Sequence, residues 1–189
     1  MNIKHEIRIL GIDDSPFNKK SSEKVLIIGA VFRGASQIDG VLSTYVSRDG
    51  TDATKKIISL IKKTRHLGQL RVVMINGVCV AGLNPLDIKK IHDETKLPVI
   101  IVTRNKPNPE KLRKAFMKIK GFKKRWQAVE NAGPVREFMH LYFQFKGISE
   151  EDVKKIIRLT AVHSIVPEPV RTAHLIAGGI VSGESRARV

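Results

Sequence analysis

The sequence predicts an α/β fold in which three antiparallel strands are followed by β-α-β-α and then by added C-terminal helices. Three observations predict it. Between Lys24 and Gly34 lies an apolar run (Val25, Leu26, Ile27, Ile28, Ala30, Val31, Phe32), with strand-like stretches on both sides reached through short polar connections. After Asp52 the apolar spacing changes to that of a helix. Beyond residue 70, two more apolar runs each lead into a helix opening with Asn-Pro.

Taken in order, Ile7 to Asp13 is the first strand, and it runs directly into two carboxylates, Asp13 and Asp14. A polar connection through Ser15, Pro16, Asn18 and Ser21 leads to the second strand, Lys24 to Gly34, whose composition suits burial on both faces. A turn near Gly34-Ala35-Ser36 reverses the chain into the third strand, Ile38 to Val46. Short connections of this kind imply an antiparallel meander.

After Arg48-Asp49-Gly50-Thr51-Asp52, the residues Ile57, Ile58 and Ile61 fall on one face of a helix, with Lys55, Lys56, Lys62 and Lys63 elsewhere. Leu70 to Ile75 is the fourth strand and ends at Asn76-Gly77. Asn84 as N-cap and Pro85 at the first helical position are expected to start the next helix, with Leu86, Ile88 and Ile91 on its apolar side. Val99 to Val102 is a fifth strand, and Asn108 to Ile119 a further helix with Leu112, Phe116 and Ile119 at helical spacing. Strand and helix alternating in this way imply parallel pairing.

Leu141 to Phe145 reads as another strand, and a helix follows from Ser149, with Asp152 completing a variant of the capping box. A last helix begins around Val166 to His174. Its Gly178-Gly179 pair costs about 1 kcal/mol per glycine relative to alanine, which implies close packing there. The polar and basic residues 182–189 are expected to be loose. The whole reads as one domain, 1–189, with a helical extension from about residue 147. This order of elements resembles the ribonuclease H-like fold, in which metal carboxylates gather at the first strand and around the end of the fourth.

The chain of 189 residues has a formal charge of +16 and a pI near 10.2, so it attracts polyanions, nucleic acid first among them. Arg104, Lys106, Lys111, Arg113, Lys114, Lys118, Lys120, Lys123, Lys124 and Arg125 form one basic stretch in which Glu110 is the only acid. That sign bias favours phosphate contact over a solvated, salt-bridged helix face. Apolar runs are far shorter than the roughly 20 residues a membrane span needs. Cys79 is the only cysteine, and the first residues lack the apolar core of a signal peptide, so the expected compartment is the cytoplasm.

A carboxylate just past a buried strand is held firmly enough to ligate a hard cation such as Mg2+, and Asp13 is the expected primary ligand. The competing explanation is that Asp13 and Asp14 end a strand and open a turn. Asp52 in a first helical turn is favoured by the helix dipole without any metal. His5, His66, His92, His140, His163 and His174 show no zinc-ligand spacing, and neither a P-loop nor a Ser-His-Asp signature is present. Cys79 sits in Val78-Cys79-Val80, the setting of a small buried hydrophobe.

Gly11-Ile12-Asp13-Asp14-Ser15, Gly50-Thr51-Asp52-Ala53-Thr54, Ile75-Asn76-Gly77, Pro98-Val99-Ile100-Ile101-Val102 and Glu168-Pro169-Val170-Arg171-Thr172-Ala173-His174, with Gly183-Glu184-Ser185, resemble an archaeal family. It is the endonuclease dU family, deoxyuridine-specific DNA endonucleases similar in turn to endonuclease V. The resemblance implies a Mg2+-dependent endonuclease, with Mn2+ as a substitute, acting on deoxyuridine-containing DNA. By position it implies Asp13, Asp14 and Asp52 as metal ligands and Asp13, Asp52, Asn76 and His174 as catalytic residues. Asn76 stands where endonuclease V has an aspartate, so the site is less negative unless Asp14 or Asp49 compensates.

Arg104 or Lys106 takes the place of endonuclease V's lysine near the scissile phosphate. Arg171, on one face with His174, is expected to hold phosphate, and His174 either shares that role, moves a proton, or faces the core. Lys120, Lys123, Lys124 and Arg125 complete the expected phosphate contacts. Tyr45, Phe17 and Trp126 are the aromatics available to stack on an unpaired base, unless core packing claims them. No counterpart of endonuclease V's aromatic-proline wedge is present. Asn76 also leaves open a non-catalytic nucleic-acid-binding protein of the same fold, and RNA as the substrate is a third reading.

Overall fold

Alternation along the first strand sets the architecture. In β1 (Arg8–Asp14), Leu10 and Ile12 point to one face of a sheet, and Ile9, Gly11 and Asp13 to the other. The computed structural model describes residues 3–18 and 24–185. β2 (Lys24–Arg33) pairs antiparallel with β1, and β3 (Gln37–Ser47) antiparallel with β2, which is the expected meander. Next come α1 (Ala53–Lys63), β4 (Val72–Asn76), a hairpin of β5 (Cys79–Val80) and β6 (Asn84–Pro85), α2 (Ile88–Thr95) and β7 (Val99–Thr103). The chain continues through α3 (Pro109–Met117), α4 (Phe122–Glu130), β8 (Arg136–Phe138), β9 (Leu141–Lys146), α5 (Glu150–Thr160) and α6 (Glu168–Ser182).

The main sheet has seven strands in the order β3-β2-β1-β4-β7-β9-β8. β4 runs parallel to both β1 and β7, whereas β9 joins β7 antiparallel. The carboxyl ends of β1, β4 and β7 therefore share one edge, which brings Asp13, Asp14, Asn76 and the loop after Thr103 together. One face packs Leu10, Ile12, Val73, Ile75 and Ile101 against Ile57, Ile61, Ile88 and Ile91 of α1 and α2. The other packs Ile9, Val72, Met74 and Ile100 against Val153, Ile156 and Ile157 of α5 and Val170 of α6. The C-terminal helices thus cover a face of the sheet.

Four local expectations are corrected. Asn84 and Pro85 do not start a helix; they form β6, and α2 begins three residues later, with Asp87 accepting from the Lys90 amide at 3.0 Å. The reason is that the Asn84 carboxamide is fully buried and engaged elsewhere, with Ala53, Ser47 and Asp52. The basic stretch holds a second helix, α4, separated from α3 by Gly121 at φ 84°. β8 is also additional. Finally, a Cβ at Gly179 would meet nothing within 4 Å and one at Gly178 only Ser185, so close packing does not explain that pair. Of the tail, Ser182 ends α6, and residues 186–189 lie outside the described residues.

Candidate active site

Because β1 and β4 are parallel with Ile12 beside Ile75, the next residues, Asp13 and Asn76, are neighbours. Asn76 Nδ2 lies 3.2 Å from each Asp13 oxygen. His174 enters from α6, its Nδ1 2.8 Å from Asp13 Oδ2, and the Asp14 amide donates to Asp13 Oδ1 at 2.9 Å. The Asp13 carboxylate is only 1% exposed. It is buried and fully hydrogen-bonded, as a charge away from water must be.

Gly11 makes this arrangement possible. A Cβ there would overlap the backbone of Pro169 and Val170, so only glycine lets α6 lie directly on β1. A glycine inside a strand was the sequence signal for such an approach. His174, a turn and a half further along α6, then comes level with Asp13, two residues along β1.

Asp14 Oδ2 accepts from the Ala81 amide at 2.7 Å, and the Asp14 carboxyl lies against that of Asp13. Burial, with the Asp13 charge adding to it, pushes the Asp14 carboxyl up from 3.8 to about 7. Ala81 adopts φ 50°, a left-handed conformation uncommon outside glycine, and its carbonyl accepts from the Asp49 amide. Asp49 itself accepts from the Leu83 amide at 2.8 Å. The 47–52 loop is thereby fastened to the 81–84 turn.

Asp52 belongs to that fastening. Both its oxygens lie 3.1 Å from the Ser47 amide, and Oδ1 also accepts from Asn84 Nδ2 at 2.7 Å. Its carboxylate closes the loop before α1 and does not cap the helix. Asp13 and Asp14 lie together, but Asp52 does not join them: among the described residues no three His, Cys, Asp or Glu side chains converge as a metal-ligating group. The bonds to Ser47 and Asn84 hold Asp52 in its loop.

One expected phosphate contact is also corrected. Arg125 is 6% exposed and turns inward, donating to the carbonyls of Lys120, Gly50, Leu83 and Asp49 at 2.6 to 2.9 Å. Arg171, partly exposed, pairs with the buried Glu168 at 2.8 Å. Arg104 and Lys106 are exposed in the loop after β7, on the Asp13 edge, and Lys120, Lys123 and Lys124 are exposed around the start of α4. Asn84, expected to cap a helix, and Glu168 are buried polar residues, the first bonded to Ala53, Ser47 and Asp52 and the second to Arg171 and the His163 amide. Tyr45 is 54% exposed and Trp126 half-buried, whereas Phe17 packs on the core. Burial pushes the Cys79 thiol up to about 12, so it stays protonated and unreactive. Among the described residues no helix is long and apolar enough to cross a membrane.

Known proteins share both sequence and fold. A UPF0215 protein of Methanothermobacter thermautotrophicus is 46% identical over 188 residues, covering 97% of this chain and 92% of its own. Another from Pyrococcus furiosus is 38% identical over 187 residues, with 97% and 96% covered. The crystal structure of a protein of unknown function from Archaeoglobus fulgidus superposes with a TM-score of 0.87 at 33% identity, covering 92% of this chain and 98% of that one. Endonuclease V of Ciona intestinalis, in complex with DNA containing an inosine followed by a ribo-adenosine, gives a TM-score of 0.56 at 14% identity, covering 88% and 82%. Endonuclease V of Bacillus subtilis gives 0.59 at 11% identity, covering 88% and 77%. The fold is therefore the ribonuclease H-like fold of endonuclease V. Since the endonuclease dU model matches residues 5–181, nearly the whole length, this chain belongs to the endonuclease dU family.

Proposed function

We propose that this chain is a metal-dependent DNA endonuclease that hydrolyses a phosphodiester at or near deoxyuridine. The observation that carries the reading is the meeting of Asp13, Asn76 and His174 at the carboxyl edge of β1 and β4, in a member of the endonuclease dU family. The DNA bound to the structurally similar Ciona enzyme supports a nucleic-acid partner here, as does the charge of +16.

The donor set fits one divalent cation. It offers a carboxylate from Asp13, the neighbouring carboxyl of Asp14 and, with the Asn76 amide turned over, a carbonyl oxygen. Mg2+ accepts such a partial shell because it keeps several waters and recruits substrate phosphate oxygens, and Mn2+ suits the same oxygen ligands. A bound cation would supply charge stabilisation at the phosphate and a more acidic water. His174, held by Asp13, is placed to hold or move a proton at this edge. Arg104, Lys106, Lys120, Lys123 and Lys124 supply the phosphate contacts. Asp14 adds negative charge beside Asp13 when ionised.

A second reading, a nucleic-acid-binding protein without catalysis, is favoured by one observation. Asp13 is already satisfied by Asn76, His174 and the Asp14 amide. One experiment separates the two: incubation of labelled DNA carrying a single deoxyuridine, a hypoxanthine or no lesion, and of matched RNA, with Mg2+, Mn2+ or EDTA. Metal-dependent cutting confined to deoxyuridine DNA supports the nuclease. Tight binding of every substrate without cutting supports the binding protein, and cutting of RNA alone moves the substrate to RNA.

A further inference from the structure

α4 carries two aromatic rings one turn apart, Phe122 and Trp126. Their planes are within 7° of parallel, with centroids 6.4 Å apart. Arg113 of α3 places its guanidinium 6.0 Å from both centroids, at the outer reach of a cation–π contact. Neither ring belongs to the apolar clusters on the two faces of the sheet. Both are half-buried, while Arg113 is exposed, and Met117, one turn beyond it, is 68% exposed. Lys111, Lys114, Lys118, Lys120, Lys123 and Lys124 are all exposed around them.

Parallel aromatic faces among cations match one ligand chemistry. Unpaired nucleotides offer flat base faces to the rings and phosphates to the lysines, whereas a duplex keeps its base faces stacked inside. We propose that the α3–α4 pair holds an unpaired stretch of the nucleic-acid substrate, with bases stacking on Trp126 and Phe122. This rests on the nucleic-acid reading given above.

The pair is also fixed relative to the active-site edge. Arg125, on the same helix as both rings, bonds the carbonyls of Asp49, Gly50 and Leu83. The turn that includes Leu83 also holds Asp14 through the Ala81 amide. A groove of about 510 Å³ runs along α3 beside Leu83 and is lined by Lys111, Lys114 and Lys118. A strand gripped by the rings is thereby kept in a constant relation to Asp13.

Trp126 is the only tryptophan, so its emission reports this surface alone. The test titrates the full chain, in EDTA to prevent cutting, with a short single-stranded DNA and with its duplex. Tryptophan emission is followed together with the anisotropy of a labelled oligonucleotide. The single strand is expected to quench Trp126, and the duplex to bind without quenching. Phe122→Leu is expected to weaken single-strand binding by roughly 5- to 100-fold while leaving duplex binding within about twofold. Single-strand binding with unchanged Trp126 emission, or equal quenching by the duplex, overturns the proposal even if a variant fails to fold. Absence of binding by either DNA overturns the nucleic-acid reading itself.

Discussion

His174 Nδ1 lies 2.8 Å from Asp13 Oδ2, a hydrogen bond between residues 161 apart in sequence that joins the last helix to the first strand. The contact orients both groups at the edge where the substrate phosphate is expected. His174→Ala is predicted to lower single-turnover cleavage by roughly 10- to 100-fold, the scale seen when a partner that orients a metal ligand is lost. It also removes a charge-assisted bond worth about 1.5–3 kcal/mol. Rapid-quench cleavage and urea unfolding measure the two effects. Unchanged cleavage with reduced stability would make His174 structural only.

Gly11→Ala tests how α6 is seated. The new methyl group would overlap the Pro169 backbone, which cannot give way as a flexible side chain does. A loss of about 3 kcal/mol is expected, at the upper end for overpacking, with a larger loss of cleavage than His174→Ala because the whole helix shifts. Gly179→Ala is the control: nothing lies within 4 Å of the added carbon, and the substitution should stabilise by up to about 1 kcal/mol.

Asp14 makes the metal-free protein sensitive to pH. Its carboxyl is raised from 3.8 to about 7 by burial and by the Asp13 charge. A value raised in the folded state means that its stabilising contribution is full below the unfolded value and disappears as pH rises through the folded one. In EDTA, wild type should therefore lose stability between about pH 4 and pH 8 relative to Asp14→Asn, by at most roughly 4 kcal/mol. Urea unfolding of both proteins at the two pH values gives the difference. A gap that does not widen towards pH 8 would show that Asp14 ionises freely.

Asn84→Ala should destabilise by about 1–3 kcal/mol, because it strands the Ala53 amide and removes one of the two bonds each to the Ser47 carbonyl and Asp52 Oδ1. Hydrogen exchange should report the loss first at the start of α1.

Much of this arrangement was legible from local pattern. The meander, the parallel strands and Asp13 at a strand end follow from apolar runs and connection lengths, and Asn76 from the end of the fourth run. Asn84 shows where such reading stops. Asn-Pro is a sound start signal, yet the Asn84 carboxamide serves the first amide of α1, 31 residues earlier. Basic sequence neighbours point to Arg125 as a phosphate contact, but its donors are taken by carbonyls of distant loops. Asp52 likewise sits in a family motif while its oxygens close a loop. In each case the deciding partner is a backbone group or a residue far along the chain, which no local pattern encodes.

The most direct test of the account is the cleavage rate of a deoxyuridine oligonucleotide by wild type and Asp13→Asn, each in Mg2+, Mn2+ and EDTA, with circular dichroism to confirm folding. The account predicts metal-dependent cutting by wild type and a loss of about 100-fold or more in a folded Asp13→Asn protein. Equal rates for the two proteins, or cutting that persists in EDTA, would contradict it.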